Sequence, residues 1–433
     1  MKIKPTSEKA KSASKVSSRS HLGERVPRLR FLGFEGEWEV ARIGELYSER
    51  SQRCTTPMEL LSVTISEGVV PRADIEGKDN SSEDKSNYKV VHVGDMVYNT
   101  MRMWQGASGL SAYNGIVSPA YTILKDAAKF DHEFMVSLFK TEWLINEFRK
   151  NSQGLTSDTW NLKYPQIAAI KVRLPSVQEQ HHIATFLSLT DSRITAQRKI
   201  VELLKKHKRG LVQDLFTSEL SKLPRLRFAG FKDAWTIRSF DEVFSFLKNN
   251  TLPRSEMTTA GGMIRNVHYG DVLIKYGDVL DCNRDQIPFL VSDKQSDDYR
   301  LLEDGDVVIA DTAEDEAVGK TVELVGVANK LIESGLHTIA CRPTISFAPR
   351  FLGYYLNSTA YRRQLLPLMQ GIKVLSLSKS QLGKTQLLFP PDINEQKRIA
   401  ELLTGIDAHI AMAQSHLDKM QSLKTGFLQQ LFV

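Results

Sequence analysis

The stretch VPRLRFLGFEGEW at residues 26–38 returns as LPRLRFAGFKDAW at residues 223–235, and this repeat decides how the chain is organised. Eight of the thirteen positions are identical, which chance does not produce over so short a window. Self-similarity within one chain is the sign of an architecture built from copies of one unit. The chain is therefore predicted to consist of two halves that begin alike.

A second repeat closes each half of the chain. LPSVQEQHHIATFLSLTDSRI begins at residue 174 and PPDINEQKRIAELLTGIDAHI begins at residue 390, and both segments continue to the similar ends GLVQDLF and GFLQQLF. The stretches between the repeats, residues 47–170 and 244–385, differ in length and share no run that stands out. We interpret this pattern as two domains that recognise different targets. The repeated opening and closing segments form one repeated frame that holds both domains.

The closing segments have the spacing of long helices. Pro175 and Asp392 lie at the predicted starts, and apolar residues then recur at 4-3 spacing for about five heptads. Each helix is predicted at roughly 40 residues, or about 60 Å. We expect the two helices to pack as an antiparallel coiled coil with pseudo-two-fold symmetry. Lys208 and Lys424 occupy equivalent seam positions, where they either fix the register or simply extend toward solvent.

Each middle is predicted to be a mixed domain of short strands and helices, so the fold class is α/β in the broad sense (α+β). Residues 89–101 suggest a strand pair around Gly94 and Asp95, residues 270–280 suggest strand segments, and residues 351–369 suggest one helix. The predicted parts are a disordered basic tail at 1–25, mixed domains at 26–174 and 223–390, and helices at 175–222 and 391–433.

The composition is that of an ordinary soluble protein, with 41% hydrophobic and 25% charged residues. We expect a cytoplasmic protein, because neither a membrane span nor a signal peptide stands out and Cys54, Cys282 and Cys341 lack disulfide or zinc spacing. Residues 1–25 hold five of the six net positive charges, which leaves the body nearly neutral. This tail either contacts DNA phosphates or is merely solvated.

No catalytic motif in the sequence is convincing. The run FPPD at residues 389–392 has the residue types of an adenine methyltransferase motif in the wrong order, and no Gly-rich cofactor loop or P-loop is present. Asp74 with Glu83 and Lys85 fits a metal nuclease only loosely. We therefore expect a protein that does no chemistry of its own.

Together the two halves resemble the specificity subunit of type I restriction–modification systems. The resemblance rests on P-x3-EQ-x2-IA at both helix starts, on the lead-ins LKYPQIAAIKVRLP and SLSKSQLGKTQLLFPP, and on segments such as GDMVYNTMRMWQG that are similar to target-recognition domains. It implies that the domains at 26–174 and 223–390 are target-recognition domains that each read one half of a split target in double-stranded DNA. It also implies two methyltransferase subunits and motor-nuclease subunits as partners, which would hold S-adenosylmethionine, ATP and Mg, while this chain holds no cofactor.

Sequence readout needs side chains that bond to base edges, together with donors for phosphates. In the first domain the candidates are Asn99, Arg102, Trp104 and Gln105, followed by Ser157, Trp160, Asn161 and Lys163. In the second domain they are Arg265, Asn266, His268, Tyr269, Lys320, His337 and Thr338, followed by a corresponding loop with Lys373, Ser376 and Ser378. The alternative for the first loop is that Trp104 belongs to the core and Arg102 is an ion-pair partner.

A coiled-coil scaffold that binds proteins rather than a DNA sequence stays open as the alternative function, because the folded body is nearly neutral. The two functions differ in their binding properties. A DNA reader should show a steep salt dependence and a preference for one split sequence, and a scaffold should show neither.

Overall fold

The computed structural model describes residues 3–5, 25–79, 81–157, 159–217, 223–291 and 301–433, and the chain divides into two compact units. The first unit contains residues 1–198 and 415–433, and the second contains residues 199–414. The helix Val177–Leu215 begins in the first unit and ends in the second, and Ile393–Leu431 does the reverse. Each unit therefore contains one middle domain, the start of the helix that follows it and the end of the other long helix.

The first unit is built from short strands and short helices, apart from its long closing helix. Its strands are β1 (Ile3–Pro5), β2 (Leu29–Phe31), β3 (Glu39–Arg42), β4 (Tyr47–Arg50), β5 (Leu61–Thr64), β6 (Gly68–Pro71), β7 (Lys89–Val91), β8 (Met96–Asn99), β9 (Ser108–Leu110), β10 (Gly115–Val117), β11 (Tyr121–Asp126) and β12 (Lys171–Leu174). Its short helices are α1 (Ile43–Leu46), α2 (His132–Phe139), α3 (Glu142–Asn151) and α4 (Tyr164–Ala169), and it contains the start of the long helix α5 (Val177–Leu215).

An antiparallel sheet in the order β4-β11-β8-β9 forms the centre of the first unit, and its main core packs aromatic and aliphatic side chains of α2 and α3 against it. The predicted strand pair around Gly94 and Asp95 is wrong, because β7 pairs with β10 while β8 pairs with β9 and β11. Asp95 instead accepts from the N–H of His92 at 2.7 Å and from Arg50 at 3.0 Å, which ties the turn to β4.

The predicted disordered tail has one described segment before residue 25. Residues Ile3–Pro5 form β1, which pairs antiparallel with β2. The prediction of disorder therefore does not apply to these three residues. The rest of the tail lies outside the described residues.

The described residues of the second unit form thirteen strands, one more than those of the first. They are β13 (Thr236–Ser239), β14 (Phe244–Phe246), β15 (Met257–Thr258), β16 (Ile264–Val267), β17 (Val279–Asp281), β18 (Phe289–Leu290), β19 (Val307–Ala310), β20 (Thr312–Ala313), β21 (Thr321–Val325), β22 (Leu331–Ser334), β23 (Thr338–Pro343), β24 (Leu375–Ser376) and β25 (Gln386–Phe389). The short helices are α6 (Phe240–Val243), α7 (Tyr269–Ile274), α8 (Phe351–Asn357), α9 (Thr359–Arg362) and α10 (Lys379–Leu382), and this unit contains the start of the long helix α11 (Ile393–Leu431).

Two mixed sheets form the second unit, in the orders β14-β23-β19-β21-β17 and β15-β18-β16-β22. Two sequence predictions are wrong here. Part of the predicted strand at 270–280 is helix α7, because the His268 ring accepts from the N–H of Gly270 and so caps a helix with Asp271 in its first turn. The predicted helix at 351–369 is interrupted at Ser358, whose hydroxyl starts α9 by accepting from the N–H of Tyr361.

An ion pair, buried in the first unit and partly buried in the second, joins the two repeated segments in each unit. In the first unit the Arg30 guanidinium donates to both carboxylate oxygens of Glu179 at 2.8 and 2.7 Å. In the second unit Arg227 donates to Glu395 at 2.7 and 2.8 Å. The arginines occupy the same position of the first repeat, and the glutamates occupy the same position of the second. Because a buried charge without a partner is costly, these pairs favour one placement of the long helix on its domain.

The glutamine after each glutamate fixes the start of a long helix. Gln180 accepts from the N–H of Asp131 and donates to the carbonyl of Pro175, both at 2.9 Å. Gln396 makes the corresponding bonds at 2.9 Å, to a backbone N–H shortly before α8 and to the carbonyl of Pro390. The EQ dipeptide is therefore a structural connection between helix and domain.

Within the first unit the two long helices run antiparallel. The rings of Phe186 and Phe427 lie 4.9 Å apart between centroids, and further along α5 Asp191 pairs with Lys424 at 2.5 Å. An advance along α5 from Phe186 to Asp191 is thus a step back along α11 from Phe427 to Lys424. Coiled-coil packing over the whole length of the helices stays a prediction.

In the second unit an ion pair at the equivalent positions of the repeat joins the same two helices. Lys208 lies 2.7 Å from Asp407, the counterpart of Asp191, and 2.6 Å from Asp278 of the second domain. Burial alone would lower the pKa of Lys208, but the two carboxylates outweigh it and hold the pKa above its ordinary value. Of the two roles predicted for the seam lysines, the contacts favour the fixing of register.

Candidate nucleic-acid interface

The two predicted polar loops of the first unit lie side by side. The carbonyl of Thr100 accepts from the N–H of Leu162 at 2.9 Å, which joins the loop after β8 to the loop before α4. Trp104 and Trp160 then pack edge to face, with ring centroids 5.2 Å apart. The structure thereby brings together the loops that carry all eight predicted residues: Asn99, Arg102, Trp104, Gln105, Ser157, Trp160, Asn161 and Lys163.

In the first of these loops some polar side chains form hydrogen bonds with the loop backbone, while Arg102 is available to a ligand. Asn99 Oδ1 accepts from the N–H of Met101, and Trp104 Nε1 donates to the carbonyl of Met101, both at 3.0 Å. Arg102 is exposed, and its guanidinium has no hydrogen bond or ion pair with any residue that the structure describes. Trp104 is partly buried and bonds within its own loop, whereas Arg102 is not an ion-pair partner within the described ranges.

The second loop of the first unit is closed by its own backbone. Gln153 and Asn161 exchange two backbone hydrogen bonds of 3.0 and 2.8 Å. Ser157 and Lys163 are both exposed, and Lys163 stands at the N-cap of α4. This loop, which is bonded to the loop of Arg102, therefore offers a hydroxyl and a second cation.

The corresponding loops of the second unit are joined in the same manner. The N–H of Leu377 donates to the carbonyl of Asp311 at 2.8 Å, and β20 pairs with β24 through Thr312 and Ser376. Gln370 and Ser376 exchange two backbone hydrogen bonds of 3.0 and 2.8 Å, as Gln153 and Asn161 do in the first unit. The three predicted residues of this loop are all exposed: Lys373, Ser376 and Ser378.

A second group in this unit surrounds His337, an exposed residue with a positive φ of 54°. Its Nδ1 lies 3.4 Å from Asp311 Oδ1, and its ring meets the ring of Tyr269 edge to face at 5.3 Å. Burial lowers the pKa of the adjacent His268, and Arg254 lowers it further. The neutral ring of His268 is thus favoured, which suits its role as the acceptor that caps α7.

Four predicted residues of the second unit are buried or are bonded to other parts of the protein. Asn266 is fully buried, and Thr338 is buried with its hydroxyl donating to a backbone carbonyl at 2.5 Å. Lys320 donates to two carbonyls at the end of α7, at 3.0 and 2.7 Å, and burial lowers its pKa. Arg265 donates to a backbone carbonyl at 3.1 Å and lies over the ring of Phe289. A strand places alternate side chains on opposite faces, so polar type alone did not reveal which ones face inward.

Sequence comparison missed one feature that the two closed loops share. Gln153-Gly154-Leu155 and Gln370-Gly371-Ile372 begin them, and both glycines have positive φ, at 149° and 124°. A Cβ on Gly154 or Gly371 would meet a backbone carbonyl oxygen at 2.6 or 1.9 Å, so only glycine fits. The next residue, Leu155 or Ile372, is fully exposed. Two identical letters in otherwise unlike stretches do not stand out in a sequence.

Nowhere in the described ranges do three His, Cys, Asp or Glu side chains form a group that could hold a metal ion. Burial raises the pKa of the Cys282 thiol to about 11 and raises that of Cys341 as well, which keeps both thiols protonated. None of the described helices has both the length and the apolar character needed to cross a membrane.

The chain is similar in sequence to known proteins of one family. Residues 35–206 match the family model of the type I restriction modification DNA specificity domain. The type I restriction enzyme MjaVIII specificity subunit of Methanocaldococcus jannaschii is 22% identical over an alignment that covers 94% of this chain and 93% of that protein.

Solved structures extend this similarity to the fold. The S subunit of a type I restriction–modification system from M. genitalium matches with a TM-score of 0.54 at 14% identity, over 94% of this chain and 99% of the other. A chain from a study of complex assembly and conformational transition of the type I R-M system matches with a TM-score of 0.55 at 18% identity, over 90% and 96%. At these identities the matches show a shared fold across both halves of the chain.

Proposed function

The chain belongs to the specificity subunits of type I restriction–modification systems, and from that premise we propose that it reads a two-part DNA target and leaves the chemistry to its partners. The observation that carries the proposal is one construction found twice. In each unit two polar loops are joined by backbone hydrogen bonds, and a repeated Arg–Glu pair ties the domain to a long helix. Two readers on one repeated frame suit a target in two halves.

In the first unit we assign base contacts to Arg102 and Gln105 and phosphate contacts to Ser157 and Lys163. An arginine with no partner in the described protein can bond both acceptors of a guanine in the major groove, and a glutamine can bond an adenine in the same way. Lysine and serine are ordinary phosphate donors, and they position a protein without reading sequence. Trp104, Trp160, Asn99 and Asn161 support these loops from behind.

In the second unit we assign base contacts to the group around His337. We assign phosphate contacts, which position the protein on the DNA, to the loop with Lys373. His337 and Tyr269 offer ring nitrogen and hydroxyl groups on an exposed face, with Asp311 orienting the histidine. Lys373, together with Ser376 and Ser378, suits the phosphates beside that face. The two units therefore present different side chains from similar loops, as the reading of two different half-sites requires.

The long helices complete the proposal. We assign to α5 and α11 the spacing of the two readers and the docking of two methyltransferase subunits, to which motor-nuclease subunits are added in a cytoplasmic restriction complex. Each helix has 39 residues, or about 60 Å, whereas half-sites on one face of DNA are about 34–36 Å apart. The Asp191–Lys424 pair in the first unit and the Lys208–Asp407 pair in the second join the two long helices within each unit, which supports this assignment.

Binding to a random DNA pool separates this function from a protein-binding scaffold. The chain in complex with its methyltransferase partner is incubated with random duplexes at several salt concentrations, and the methyltransferase alone is the control. We expect the bound duplexes to share one two-part motif, and the affinity to fall about a thousandfold or more between 50 and 200 mM salt. Bound DNA without a common motif, at an affinity equal to that of the control, would identify a scaffold.

A further inference from the structure

The tips of the two closed loops carry the most exposed large apolar side chains of the described residues. The exposed fraction is 102% for Leu155 and 101% for Ile372, whereas the next value, for Ile274, is 88%. A leucine or isoleucine in water forgoes the stabilisation that burial gives. Scattered exposed apolar residues need no explanation, but the same arrangement at matching places in both units does.

The loops are built so that they project these side chains. The glutamine before each glycine is fixed by two backbone hydrogen bonds, to Asn161 in the first unit and to Ser376 in the second. The glycine then adopts a conformation that leaves no room for a Cβ. The following residue is directed away from the domain, so the exposure of Leu155 and Ile372 follows from the backbone and not from a chance rotamer.

The surroundings of both tips match nucleic acid. Ile372 is followed directly by the exposed Lys373, and the loop of Leu155 carries the exposed Ser157 and packs against the loop of Arg102. Donors for phosphate beside a projecting apolar side chain are the arrangement by which proteins insert a wedge between base steps. Because the two domains otherwise share little sequence, the repeated tip serves a task common to both half-sites and not the identity of a base.

We propose that Leu155 and Ile372 insert into the DNA, one in each half-site, and fill space beside the base that has to leave the stack for modification. This inference rests on the proposed function. A base inside a duplex is out of reach of a methyltransferase, so it is turned out of the helix at a cost in stacking. An apolar side chain that enters the step lowers that cost by replacing part of the lost contact. Different target sequences need the same opening, which accounts for the repetition of the tip.

The test follows base opening at each half-site separately. The complex of this chain with its methyltransferase is bound to a synthetic duplex with the two-part motif that methylation sequencing assigns to the chain. 2-Aminopurine, which becomes brighter when it is unstacked, replaces the methylated adenine of one half-site at a time. We expect Leu155→Ala to abolish the fluorescence rise at one half-site only and Ile372→Ala to abolish it at the other. Each variant should also bind about tenfold more weakly.

Conservative and distant variants control this experiment. Leu155→Met keeps a long apolar side chain and should retain the fluorescence rise. Ile274→Ala, which removes an exposed isoleucine at the end of α7, should behave as the native complex does. A full rise at both half-sites in Leu155→Ala and Ile372→Ala would overturn the inference. Loss of the methyltransferase from either variant would overturn it too, because the tips would then bind protein. A native complex that binds the motif no better than other DNA would refute the proposed function itself.

Discussion

Removal of the Glu179 carboxylate is expected to destabilise the first unit strongly. Arg30 Nε and Nη2 donate to that carboxylate, and the guanidinium also donates to the carbonyls of Glu35 and Gly36 at 3.1 and 2.6 Å. The side chains of Arg30 and Glu179 are only 6% and 2% exposed, so Glu179→Ala leaves a buried cation that water cannot reach. The loss of one partner of such a pair costs about 3–5 kcal/mol. At about 2–4 °C per kcal/mol for a unit of this size, the unfolding midpoint should fall by about 6–20 °C.

Calorimetry of three variants tests this reasoning. Glu37→Ala is the matched control, because Arg25 and Glu37 also lie 2.8 Å apart but are 62% and 58% exposed, and we expect no measurable shift. The double variant Arg30→Met with Glu179→Leu removes both charges and should recover most of the lost stability. A Glu179→Ala midpoint equal to that of Glu37→Ala, or a double variant as unstable as the single one, would refute the role given to the buried charge.

Three further predictions concern the pH dependence, the helix contacts and one reader. Burial raises the pKa of Glu323 to about 7 from about 4.5. Because the folded chain holds this proton more tightly, the stabilisation is full below about pH 4.5 and is lost as the pH rises through 7. The midpoint of the native chain should therefore fall relative to that of Glu323→Gln between pH 5 and 8, and parallel curves would contradict this. Lys208→Met leaves Asp278 and Asp407 without their shared cation and should lower the calorimetric stability of the second unit by about 2 kcal/mol, and an unchanged midpoint would count against it. Arg102→Ala should weaken binding by about 1–3 kcal/mol and relax one half-site in pool selection, whereas equal relaxation of both would exclude base readout by Arg102.

The repeated segments with their long helices were the part of the fold that could best be predicted from the sequence. Heptad spacing predicted both long helices, which run from Val177 to Leu215 and from Ile393 to Leu431. The role of the EQ motif could not be predicted, because Arg30 and Glu179 are 149 positions apart and only the fold brings them together. A motif can be recognised from its letters, but its partners depend on tertiary contacts.

The candidate DNA-contacting residues could be predicted from the sequence only in outline. The sequence indicated two candidate loops in each unit, and the structure places the two loops of each unit in contact, while their contact with DNA stays a prediction. It could not distinguish the exposed His337 from the buried neighbours Asn266 and Thr338, because strand alternation and helix α7 decide which side chains face outward. The shared tips at Leu155 and Ile372 were missed because glycine geometry, and not sequence similarity, defines them.

Genome-wide sequencing of methylated bases tests the central claim most directly. A strain that expresses this chain together with its neighbouring methyltransferase is compared with a strain that lacks only this chain. We predict a methyladenine motif in two parts, separated by a fixed gap, that disappears when the chain is absent. A methylation pattern that persists unchanged without the chain would show that another component selects the sequence, and it would contradict the role of this protein as the DNA reader.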